Sequence, residues 1–110
     1  MAYPKRFIID TIRTAAFGAI GAAYAAVGAA LASPARIYCI KNLTNENLSF
    51  SFDGVNEQIV VPPNGFELID ISTNRTNQEN FFLAEGTFFY VRHRGAAPAS
   101  GDIFIEVIRS

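Results

Sequence analysis

Leu48-Ser49-Phe50-Ser51-Phe52 constrains this chain more than any other stretch, because apolar and hydroxyl residues alternate strictly along it. A β-strand points successive side chains to opposite faces. Leu48, Phe50 and Phe52 therefore belong on a core face, and Ser49 and Ser51 on a face toward water or a partner. Asp53-Gly54 closes the run, since glycine accepts the positive φ that a hairpin turn requires. The neighbouring runs follow the same grammar: Arg36-Ile-Tyr-Cys-Ile-Lys-Asn42, Gln58-Ile-Val-Val-Pro62 and Gly65-Phe-Glu-Leu-Ile-Asp-Ile-Ser72. Each is short, β-branched or aromatic, and closed by Asn, Gly, Pro or Asp.

The pattern continues with Phe81-Phe-Leu-Ala84, Thr87-Phe-Phe-Tyr-Val-Arg-His-Arg94 and Asp102-Ile-Phe-Ile-Glu-Val-Ile-Arg109. Pro62-Pro63-Asn64-Gly65 is a turn, and Gly54, Gly65 and Gly101 are read as structural turn glycines. The spacing predicts an all-β fold: one antiparallel β-sandwich, jelly-roll-like, of about seven to nine strands. Within it, Ile103, Ile105 and Val107 point inward. In the 87–94 run, Phe89, Val91 and His93 share one face, and Phe88, Tyr90, Arg92 and Arg94 the other. Aromatics on both faces imply burial on both sides, or one face against another subunit.

At 110 residues the chain is one domain, divided here into an extended N-terminal arm over residues 1–14 and the sandwich over 15–110. Pro4 beside Lys5 and Arg6 suits an extended arm. Residues 14–32 admit two readings. Phe17, Ile20, Tyr24, Val27 and Leu31 recur at helical spacing in an alanine-rich background, which favours an amphipathic helix. Gly18, Gly21 and Gly28 oppose that helix at roughly 1 kcal/mol each. The same stretch superficially resembles a membrane span or a signal peptide. Its hydrophobicity rests on Ala and Gly rather than Leu, so no membrane is expected.

Half of the residues are apolar and only 17% are charged, against a usual ~25%. A domain this small has difficulty hiding so much apolar surface, and the surplus reads as subunit interface. A net charge of −1 gives no drive toward nucleic acid. Cys39 is the only cysteine, so no internal disulfide or thiolate cluster can form, and it reads as a small buried hydrophobe.

Little points to catalysis. His93 is the only histidine, and Asp53, Glu67, Asp70, Glu85 and Asp102 are spread singly. Asp53 with Glu57 fits no calcium loop, and Gly18, Gly21 and Gly28 give no dinucleotide fingerprint. Neither an enzyme, nor a metal site, nor a cofactor is expected. Asn42-Leu-Thr44, Asn47-Leu-Ser49 and Asn74-Arg-Thr76 match the N-glycosylation pattern, but so short a pattern recurs by chance in Asn-rich loops.

Taken together, several features resemble a family of small virion structural proteins of tailed bacteriophages. They are Tyr24-Ala-Ala-Val-Gly28, Leu31, Pro34-Ala-Arg36-Ile37, Asn42-Leu-Thr44 and Ser51-Phe-Asp-Gly54, followed by Asp70 with Asn74, Gly86-Thr87 with Tyr90-Val91, and Ser100-Gly101. The similarity spans residues 15–109 and lies in the order and spacing of all of them. It implies a β-sandwich that acts as a multimeric part of the particle, with residues 14–32 as strands; the alanine richness here departs from that pattern. The expectation is a non-enzymatic virion component of the head–tail neck, the tail or the capsid decoration. Its partners would be copies of itself and portal, capsid or tail proteins. Tyr3, Phe7, Ile8, Phe88, Tyr90, Arg92 and Arg94 are the expected contact residues. The alternative is a carbohydrate- or receptor-binding sandwich of a tail, with the Asn-rich loop 72–80 supplying polar groups.

Overall fold

The computed structural model describes residues 8–70 and 83–109, which form nine strands and one 3-10 turn. In chain order the strands are β1 Ile8–Ile9, β2 Arg13–Ala16, β3 Ala25–Ala26, β4 Ala35–Asn42, β5 Leu48–Ser51, β6 Ile59–Val61, β7 Gly65–Asp70, β8 Tyr90–His93 and β9 Asp102–Arg109. One sheet runs β1-β9-β4-β7, with β2 also on β9; the second runs β3-β8-β5-β6. All pairings are antiparallel, and the sheets pack as the β-sandwich expected from the alternation.

Alternation along the two longest strands builds the core. Tyr38 and Ile40 of β4 and Ile103, Ile105 and Val107 of β9 are buried between the sheets, facing Leu48, Phe50 and Val91 of the second sheet. Tyr38, Phe52 and Phe89 pack edge-to-face at centroid distances of 5.4 to 5.7 Å, the arrangement the ring quadrupoles favour. The β4–β9 register shifts between Ala35 and Ile37, a bulge that twists the strand near its start.

Residues 14–32 are not an α-helix. Ile20, Val27 and Leu31 are buried, so the apolar spacing does mark core residues. Apart from the one 3-10 bond from Ile20 N–H to Phe17 O, however, the backbone bonds run to distant segments rather than along a helix. Phe17 N–H donates to Gly101 O, Val27 N–H to Phe89 O and Leu31 N–H to Thr87 O. The result is β2, a 3-10 turn at Phe17–Ala19, β3 and connecting bends. Gly28 sits at φ +73 against the Arg13 side chain, a conformation that an alanine helix cannot accommodate.

The arm expected over residues 1–14 is, from Ile8 onward, part of the five-stranded sheet. Ile8 and Ile9 pair with Arg109 and Ile108, and β2 pairs with the other end of β9. Tyr3 and Phe7 lie outside the described residues, as do loop 72–80 and the first half of the strand expected at 81–84. Leu83 alone of that strand is seen bridging, to Ala35.

Two of the turn glycines serve by φ and one by space. Gly54 and Gly101 have positive φ, and a Cβ on Gly101 would lie 2.0 Å from Leu43 O. At the 62–65 turn the left-handed position is taken by Asn64, at φ 57. Gly65 is needed instead because a Cβ there would meet Pro62 at 3.0 Å.

Asn42, at the end of β4, is fully buried and joins three segments. Its Nδ2 donates to Glu46 O, Val61 O and Pro62 O, and its Oδ1 accepts from Thr44 N–H and Thr44 Oγ1. The first sequon is thus a buried structural knot.

Candidate interaction site

The outer face of the four-stranded sheet holds most of the expected contact residues. Outward alternation on β8 brings Tyr90 and Arg92 beside Ser51 and Ser49 of β5, their cross-strand partners. Phe88 extends the face, its ring 5.9 Å from that of Tyr90. The arginines are engaged within the chain: the Arg92 guanidinium lies 4.5 Å from the Tyr24 ring centroid, and Arg94 Nε donates to Glu57 Oε1 at 2.7 Å.

Ser49 and Ser51 do not face water. Both are buried, because residues 53–58 fold back over β5 and satisfy their hydroxyls. Ser49 Oγ donates to Glu57 Oε1, and Ser51 Oγ donates to Asp53 Oδ1 while accepting from Gly54 N–H. Hydrogen bonds from Ser49 and then Arg94 hold the Glu57 carboxyl below its ordinary range. The Asn56 and Val55 N–H groups, with the Ser51 hydroxyl, hold Asp53 well below its own. Asp53 therefore acts as a turn-building carboxylate.

The expected contact residues do not form one patch. Ile8 belongs to β1 at the edge of the other sheet, while Phe88, Tyr90, Arg92 and Arg94 lie outside the four-stranded one. His93 ends β8, with Nδ1 2.9 Å from Gly95 O. Among the described residues no three His, Cys, Asp or Glu side chains gather as a metal site, and no helix is long and apolar enough to cross a membrane.

A second face was not anticipated. The outer side of the five-stranded sheet is mostly apolar and is ordered in three cross-strand rows. The first joins Ile9, Ile108, Ile37 and Asp70; the second Glu106, Cys39 and Leu68; the third Thr14, Phe104, Lys41 and Phe66. Ile9 is 82% exposed, Phe66 67%, Leu68 57% and Ile12 52%. Ile9, Ile12, Ile37, Cys39, Leu68 and Ile108 help line a shallow groove of about 310 Å³. One ion pair crosses the face, Lys41 Nζ to Glu106 Oε1 at 3.1 Å, with both side chains over two-fifths exposed. Cys39 is half-buried here rather than in the core, and loss of hydration raises its thiol pKa, with Lys41 lowering it and Glu106 raising it. The sequence did carry a signal: Ile103-Phe-Ile-Glu-Val-Ile108 is apolar at both alternate sets of positions except at Glu106.

At the rim, Arg13 is buried and its guanidinium donates to Ala29 O and to Asp10 Oδ2. Asp10 also lies 3.5 Å from Arg109 Nε. Burial pushes the Asp10 carboxyl up, but the Arg13 and Thr11 hydrogen bonds and the two arginine charges outweigh it, and its pKa is lowered. This network ties β1 and β2 to β9.

No family model, no curated protein and no solved structure matches the chain.

Proposed function

We propose that this chain is a non-enzymatic structural component of a tailed-bacteriophage particle, in the head–tail neck, the tail or the capsid decoration. It acts through multimeric contacts with copies of itself and with portal, capsid or tail proteins. The observation that carries the assembly reading is the apolar outer face of the five-stranded sheet. Ile9, Ile12, Phe66 and Leu68 are each more than half exposed there, in a chain with few charges to hold such a surface in solution. The placement in a phage particle rests on the resemblance across residues 15–109.

Mass spectrometry of purified particles from the phage that encodes the chain tests this. The chain should be present at a fixed stoichiometry and should survive a high-salt wash. Its absence from purified particles would refute the reading.

A second reading, a carbohydrate- or receptor-binding module of a tail, is favoured by the other face. There Tyr90, Phe88 and the Arg92–Tyr24 stack stand beside the Glu57 carboxylate. A glycan array with no hits would remove the carbohydrate form of it.

A further inference from the structure

We propose that the outer face of the five-stranded sheet is the seat of a second copy of this chain, packed face to face about a two-fold axis. The proposal deepens the assembly reading by naming the partner and the register.

Area is the first argument. Ile9, Ile12, Phe66 and Leu68 at their exposures present on the order of 500 Å². Ile37, Cys39, Phe104 and Ile108, with Lys41 and Glu106, bring the face near the ~800 Å² per partner of a standard stable interface.

Charge is the second argument, and it selects the geometry. Lys41 and Glu106 are the face's central charges, and they lie diagonally across β4 and β9. A face-to-face dimer needs its two-fold axis in the plane of the interface. Only an axis along the other diagonal, from Cys39 to Phe104, sets Lys41 over the partner's Glu106. Four charges then alternate in sign around a square, and each loses water only where two opposite charges replace it. The same axis brings Cys39 against the partner's Cys39. Strand spacing and rise put the strands of the two copies at about 70° to each other, near the orthogonal class of sheet packing. Asp70 sits at the rim of the first row, where water can reach it.

Sedimentation velocity on the full chain should show a concentration-dependent monomer–dimer equilibrium near micromolar protein. Leu68→Lys should leave a monomer with unchanged far-ultraviolet circular dichroism. Lys41→Glu should weaken the dimer at least tenfold, and adding Glu106→Lys to it should restore the dimer. A short bismaleimide at mildly alkaline pH should join two chains through Cys39, the only cysteine, and should fail in Leu68→Lys.

A monomer at every concentration would overturn the proposal. That includes the case in which residues 1–7 shield the face, seen as Cys39 alkylation that speeds up when they are deleted. A dimer insensitive to Leu68→Lys, or a charge exchange that restores nothing, would overturn it too. A monomer still present in purified particles would remove the self-contact alone. A dimer missing from them would remove the particle reading alone.

Discussion

Replacing Asn42 with alanine removes a side chain that makes five hydrogen bonds and is fully buried. The bonds to Val61 O, from Thr44 N–H and from Thr44 Oγ1 are the most enclosed; the Thr44 hydroxyl also reaches Glu46 O, so alanine leaves one acceptor and one donor stranded out of water. Each stranded group costs about 1–3 kcal/mol, and the other bonds, nearer solvent, recover partly through water. A loss of about 3–5 kcal/mol follows, against a whole-domain stability of roughly 5–15 kcal/mol. At about 4 °C or more per kcal/mol, the melting midpoint should fall by at least ~12 °C. Urea and thermal unfolding by circular dichroism would measure it, with the urea slope unchanged. Asn42→Asp should also destabilise, because the introduced carboxylate meets three carbonyl oxygens. Its deficit should shrink as pH falls and that group takes up a proton. A loss below about 1 kcal/mol for Asn42→Ala would mean that the knot between β4, the 44–46 loop and the β6–β7 turn is not formed as described.

Gly101→Ala should cost about 3 kcal/mol or more or prevent folding, since its Cβ would collide with Leu43 O at a φ of +91; a midpoint within error of wild type would contradict this. Tyr24→Phe should be neutral or stabilising by up to about 1 kcal/mol, because Tyr24 Oη is buried without a hydrogen-bond partner and the ring still carries Arg92. A clear loss in thermal melts would count against it. Asp10, Asp53 and Glu57 all have lowered pKa values. Their contribution to stability is therefore present above the unfolded carboxylate values near ~4 and is lost as pH falls through the folded ones. Unfolding midpoints should drop from pH 7 to pH 3, and a flat profile would refute the assignment.

Strands were legible wherever one side of the alternation was unambiguous. In β9, Ile103, Ile105 and Val107 were read as inward and are buried. Ser49 and Ser51 misled because a hydroxyl tells only that hydrogen bonds are needed, not who supplies them; Glu57 and Asp53 do so from a loop eight and two residues on. The periodicity of residues 14–32 misled for a different reason, although the resemblance implied the strands that are found there. A spacing of three and four residues places side chains on one face of a helix, but it also suits a chain that bends between short edge strands. Only the long-range bonds to Phe89, Thr87 and Gly101 decide between the two. The apolar outer face was the hardest to see. Phe66 and Leu68 looked like ordinary strand residues, and only the register of β7 against β4 and β9 puts them beside Cys39, Phe104 and Ile108. Cys39 was read as core for want of that register.

The most direct measurement is a cryo-electron microscopy reconstruction of the particle at a resolution that traces β4, β7 and β9. Protein density should cover Phe66, Leu68 and Ile9 on every copy of the chain. Those side chains facing bulk solvent throughout the particle would contradict the assembly reading.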